Sequence, residues 1–204
     1  MCIRDRYYGD DCIHAEERAQ EISMLTGATY ISPYNDQAII CGQGTLGLEV
    51  SRDLEHIDAI FISVGGGGLI SGVGGYLKSI FPSIQVHGVS PKNSCVMYES
   101  LNAGKQLDLP SKPTLSDGTA GGVELGSITF EMCKDIIDEF KVVSEDEIAK
   151  GIHIGLEKNH QLIEGAAGAT IASFINQKEK FKGQTIVLVM CGGNISSSVL
   201  KSIL

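Results

Sequence analysis

Four consecutive glycines, Gly65-Gly66-Gly67-Gly68, follow directly on the apolar stretch Asp58-Ala59-Ile60-Phe61-Ile62-Ser63-Val64. A run that is apolar on both faces reads as a buried parallel strand, and residues 69–81 beyond the glycines have helical spacing. Strand, bare backbone and helix together make a phosphate holder. Without Cβ atoms the amides close around an anion, and the helix adds free N–H groups and its positive dipole end. A tight strand-to-helix turn would need only one or two of these glycines. Four in a row predict a phosphate site at Gly65, Gly66, Gly67 and Gly68.

Three phosphate ligands compete for that site. A P-loop nucleotide needs Lys-Ser or Lys-Thr after its last glycine, but Gly67-x4-Gly72 is followed by Val73-Gly74. A dinucleotide needs G-x-G-x-x-G and an acid about 20 residues on. Here Gly66-x-Gly68 is followed by Ser71, and the next strand ends in Ser90. A mononucleotide-sized cofactor such as pyridoxal 5'-phosphate needs only the phosphate cup, and it fits best.

The elements that must position this loop alternate along the chain. Asp10 or Asp11 caps a helix ended by Gly27, residues 28–31 read as a short strand, and 32–36 as a turn. A longer helix carries Ile39, Leu46, Val50 and Leu54. After the glycine loop come a strand at 84–90, a helix at 127–140, a short strand at 141–143 and a capping box opening at Ser144. A small-residue helix (164–176), a second apolar strand (185–191) and a closing helix (194–204) complete the pattern. Strands alternating with helices predict an α/β fold, doubly wound, with a mainly parallel sheet and helices on both faces. Residues 104–126 form the one long loop, of the kind that usually carries function.

Composition narrows the class further. Hydrophobic residues are 43% and charged residues 20%, as in an ordinary soluble domain. A net charge of −9 argues against nucleic acid or an anionic membrane as partner. The six cysteines show no CxxC or metal spacing, which suits reduced thiols in a cytoplasmic protein. No apolar run approaches the roughly 18 residues needed to span a bilayer. His14, His56, His87, His153 and His160 lack metal spacing, and the acidic runs at 16–17 and 145–147 read as solvated helix starts.

The stretch Ser-Val-Gly-Gly-Gly-Gly-Leu-Ile-Ser-Gly at 63–72 resembles the phosphate loop of the pyridoxal-phosphate-dependent serine/threonine dehydratases and serine racemases, a tryptophan-synthase-β-like group. Four further stretches agree in order: Gly42-Gln43-Gly44-Thr45, Thr114-Leu115-Ser116-Asp117-Gly118, Glu164-Gly165-Ala166-Ala167-Gly168 and Cys191-Gly192-Gly193-Asn194. By this resemblance, Gly65, Gly66, Gly67, Gly68 and Leu69 bind the cofactor phosphate through the backbone, and Cys191 faces the pyridine nitrogen. A neutral thiol cannot hold that nitrogen protonated as a carboxylate would. A buried strand-end cysteine is the plain alternative for Cys191, a helix start for Glu164 and a turn residue for Asp117.

The same resemblance implies β-elimination from L-threonine or L-serine to a 2-keto acid and ammonia, with a small amino-acid substrate and a homo-oligomeric full-length protein. Racemase activity or another β-eliminating lyase of this fold is the near alternative; a non-catalytic phosphate-binding protein is the distant one. In the family the cofactor-bearing lysine, an asparagine beside the ring and the substrate-carboxylate loop lie upstream, and nothing in this chain matches them. The expectation is therefore of an N-terminally truncated, inactive fragment with no catalytic residue of its own. Its residues 1–6 read as a non-native leader, 7–40 as a remnant of the smaller domain and 41–204 as the large cofactor-binding domain. No regulatory domain is expected after residue 204. No metal is expected, because the positions matching the family's cation-binding acids are Ser90 and Val96.

Overall fold

Every residue of β1 (Ala59–Ser63) is buried, as a strand flanked on both sides must be. A computed structural model describes residues 5–204, so most of the leader, residues 1–4, lies outside the described residues. β1 pairs in parallel with β2 (Gln85–Pro91) on one side and β4 (Ile186–Leu188) on the other, and β2 pairs in parallel with β3 (Glu139–Val143). The sheet order is β3-β2-β1-β4. The strand sequence thus runs outward from β1 in one direction and then jumps back across it, which makes the β1/β4 edge the topological switch point.

Alternate side chains of β1 serve two cores. Ile60 and Ile62 pack with Ile70, Val73 and Leu77 of α3 (Gly68–Ile80) and with Phe130, Cys133 and Ile136 of α5 (Ile128–Ile136). Ala59 and Phe61 face the other way, towards Phe181 and the half-buried Phe174. On that same face α6 (Glu145–Asn159) and α7 (Gly165–Ile175) cover Val89 and Val143. Helices on both faces of a parallel sheet bear out the expected doubly wound fold.

Two helix pairs approach closely enough to demand glycine. α2 (Gln37–Asp53) lies on α3 so tightly that a Cβ on Gly72 would strike Ile40 O and, at 2.7 Å, Gly44 N. A Cβ on Gly168 of α7 would come within 2.8 Å of Ile148 O in α6. The caps fall where the sequence puts them. The Asp11 side chain accepts from Ile13 N to open α1 (Cys12–Thr26), and Gly27 closes that helix with φ 71°. Ser144 and Glu147 form the full capping box on α6.

Four expectations need correction. Residues 28–31 form no strand, because among the described residues no neighbouring backbone offers a ladder and most of the segment is exposed. The helix expected to reach residue 140 stops at Ile136. The Asp138 carboxylate accepts from Val86 N at 2.7 Å and pairs with Lys78 Nζ at 2.7 Å, drawing the chain into the sheet so that β3 starts at Glu139. β4 has three residues instead of seven, since among the described residues it is an edge strand paired only with β1. The closing helix, α8 (Ser197–Ile203), opens three residues late, where Ser196 Oγ accepts from Val199 N. The long loop contains only a 3-10 turn at Asp117–Thr119, and α4 (Val96–Ala103) precedes it unforeseen. Among the described residues, no helix is long and apolar enough to cross a membrane.

Candidate cofactor site

Two chain crossings at the switch point make the site. The glycine run leaves the carboxyl end of β1, and Cys191-Gly192-Gly193-Asn194 leaves that of β4. A cavity of about 350 Å3 opens between them, lined by Gly65, Gly66, Gly67, Gly68, Leu69 and Cys191. That size lies within the range of about 300–1,000 Å3 typical of small-molecule sites. Ser90, expected only to lack an acid, has a definite task below the loop. Its hydroxyl donates to Val64 O at 2.7 Å and ties β2 to the start of the turn.

The glycines are explained by packing at three positions and by backbone conformation at the fourth. A Cβ on Gly65 would lie 2.9 Å from Thr119 O, one on Gly66 would enter the Tyr34 ring, and one on Gly68 would lie 2.9 Å from Tyr34 Cβ. Gly67 has φ 86°, where side chains are strained. Residue type here therefore does not by itself demonstrate a phosphate ligand. The free donors do. Val64 N donates to Val89 O and Ser71 N to Gly67 O. Between them, no N–H from residue 65 to residue 70 is hydrogen-bonded to the protein among the described residues. Six successive unpaired amides at a helix N-terminus need an acceptor, and an anion satisfies several at once.

Cys191 lies across the cavity, half-buried, with Sγ 3.3 Å from Ser63 Oγ. Burial pushes its thiol pKa up, Ser63 partly offsets this by hydrogen bonding, and the Glu164 charge adds to the rise. The thiol is therefore neutral at pH 7, a weak donor and weak acceptor. Pyridoxal phosphate fits this set: an anion cup on one wall and a neutral polar atom on the other.

Several lining residues escaped the sequence reading. Tyr34 packs on the loop and its hydroxyl accepts from Glu124 N at 2.7 Å; Gln43 and Thr119 also line the cavity. The motif of Gln43 and Gly44 pointed to the former, through a helix whose glycine meets Gly72. Nothing in the sequence marked Tyr34. Glu164 occupies the N-cap position of α7 without capping it. Its carboxylate accepts from Asn194 N at 2.9 Å and sits where a Cβ on Gly192, φ 88°, would have to go. Glu164 thus ties the second glycine turn to α7 while lining the cavity. Asp117 is a turn residue, accepting from Gly118 N at 2.9 Å.

Residues 4–192 match the family of pyridoxal-phosphate dependent enzymes. This chain belongs to that family. Its cofactor is pyridoxal 5'-phosphate, the ligand for which the glycine loop left the strongest case. An L-threonine ammonia-lyase of Thermotoga maritima is 40% identical over 93% of this chain and 47% of its own length. The catabolic L-threonine dehydratase of Escherichia coli K12 is 33% identical over 96% of this chain and 60% of its own. Among solved structures, the processed form of tomato (Solanum lycopersicum) threonine deaminase isoform 2 superposes with TM-score 0.88 at 35% identity, over 96% of this chain and 57% of that one. Maize serine racemase does so with TM-score 0.83 at 30% identity, over 95% and 61%. The chain thus spans about half the length of the relatives it matches, and the family resemblance read in its glycine motifs is borne out.

Proposed function

We propose that this chain forms the cofactor face of an ammonia-lyase that converts L-threonine or L-serine to a 2-keto acid and ammonia. The observation that carries the reading is the run of unpaired amides from residue 65 to residue 70, opposite the Cys191 thiol, in one cavity at the switch point. The names of the threonine-acting relatives support this substrate class.

In this reading the backbone N–H groups of Gly65, Gly66, Gly67, Gly68 and Leu69 would hold the cofactor phosphate, and Cys191 would meet the pyridine nitrogen. When bound, the cofactor supplies an electron sink for charge developing at the substrate α-carbon. A neutral thiol at the ring nitrogen leaves that sink weaker than a carboxylate would, which favours prompt loss of a β-hydroxyl over a long-lived carbanion. Glu164 holds the turn that presents Cys191, and Tyr34 and Thr119 back the phosphate loop. No lysine lines the cavity among the described residues, so the proton-moving base is assigned to a part of the protein outside this chain. The chain alone should then make no keto acid. Residues 41–204 are read as the cofactor-binding domain and 7–40 as part of a smaller one; that α1 buries none of its residues supports the division. The five described cysteines are free thiols, which supports a cytoplasmic setting. A homo-oligomer is part of the same reading.

A chimaera tests the activity. The matching stretch of the Thermotoga maritima ammonia-lyase is replaced by residues 7–204, and keto acid is measured from L-threonine and L-serine. Keto acid from either substrate is the expected result. A folded chimaera that binds cofactor yet yields only the D-amino acid would favour the racemase reading, and one that yields neither product would refute both.

A further inference from the structure

Ser63 ends β1 at the foot of the glycine loop and is 5% exposed. Its hydroxyl oxygen lies 3.3 Å from Cys191 Sγ. Among the described residues neither atom has another side-chain hydrogen-bond partner, so the proton order of the pair is settled chiefly between the two of them and the cavity. There are two orders. If the thiol donates to Oγ, the serine hydrogen has no acceptor and sulfur lone pairs face the cavity. If the hydroxyl donates to Sγ, the better donor of the two is satisfied and the thiol hydrogen is free to turn towards a ligand. A buried hydroxyl left without an acceptor is the costlier outcome, and polarising the S–H through its own sulfur strengthens it as a donor.

We propose that Ser63 is a positioning residue for Cys191: its hydroxyl donates to Sγ and thereby turns the thiol hydrogen towards the ring nitrogen of the cofactor. This rests on the cavity being the cofactor's, and it adds the direction of the proton and the residue that sets it. A donor aimed at the ring matches an unprotonated nitrogen, and Glu164 is the charged group whose field reaches the sulfur.

The test uses the 204-residue chain and pyridoxine 5'-phosphate, which lacks the aldehyde and so cannot react with surface lysines. Iodoacetamide alkylation of Cys191, located by peptide mass, is followed against pH, and the ring-nitrogen 15N signal of the bound ligand is recorded. Ser63→Ala should raise the midpoint of the alkylation profile by about one pH unit, leaving roughly 10-fold less thiolate at neutral pH. It should also move the ring-nitrogen signal, and Ser63→Thr should restore both. If Ser63→Ala does not fold, the wild-type S–H stretch, assigned by its loss on alkylation, should fall in frequency when the ligand binds. Ligand binding with an unchanged profile and nitrogen signal in Ser63→Ala, or with an unmoved S–H band in the wild type, overturns the proposal alone. Failure of the wild type to bind the ligand would overturn the cofactor reading and this proposal together.

Discussion

At Gly65, Gly66 and Gly68 the missing Cβ makes room for Thr119 and Tyr34, not for a ligand. A sequence reader sees four glycines and infers an anion. Packing against one side and unpaired amides on the other produce the same letters. Only the hydrogen-bond accounting separates them, and accounting of that kind is invisible in a sequence. Cys191 was legible because its neighbours Gly192, Gly193 and Asn194 make a recognisable turn; Ser63 was not, because its role depends on an atom 128 residues away.

His87 shows a residue effect unrelated to the site. It is 3% exposed, stacks on Phe61 with ring centroids 4.5 Å apart, and both its nitrogens lack hydrogen bonds. Glu139 Oε2 lies 3.2 Å from Nδ1 but off the line a hydrogen bond requires. Burial holds its pKa below the usual 6.5, and this outweighs the opposing pull of Glu139 and Asp138; Lys180 and Lys141 push it the same way as burial. The unfolded chain therefore binds the proton more readily than the folded one. His87 costs nothing above about pH 6.5 and destabilises progressively as pH falls from there towards the depressed folded-state value. Denaturant midpoints measured from pH 7.5 to pH 5 should fall in the wild type and fall less in His87→Phe.

Among the elements, the long helices and β1 were plain from periodicity and caps, as with Asp11, Ser144 and Gly27. Two of the misplaced boundaries share one cause: partners distant in sequence. Asp138 leaves the helix because Val86 and Lys78 hold its carboxylate, and β4 is short because, among the described residues, only β1 pairs with it. Residues 28–31 have strand-like composition and, among the described residues, no ladder to join. The contact between α2 and α3 yields the prediction at this scale. Gly72→Ala places a methyl group against Ile40 O and Gly44 N, both backbone atoms that cannot turn aside. Urea unfolding should show a loss of about 1–3 kcal/mol, whereas Gly183→Ala, with nothing within 4 Å of its Cβ but φ 79°, should report the cost of backbone strain alone.

Over the whole molecule, strand order and not any single residue decides where chemistry can sit. The order β3-β2-β1-β4 brings the ends of β1 and β4 side by side, so two glycine turns separated by more than a hundred residues face one cavity. A net charge of −9 does not oppose the proposed phosphate site, because the groups assigned to it are amide dipoles at a helix start. Calorimetric titration of the chain with pyridoxine 5'-phosphate, and with pyridoxine as the phosphate-free control, tests this most directly. Saturable binding of the phosphate ester is expected, competed by inorganic phosphate and weakened roughly 10-fold or more in Gly65→Ala, with little binding of pyridoxine. Equal affinity for the two ligands, or no binding of either, would contradict it.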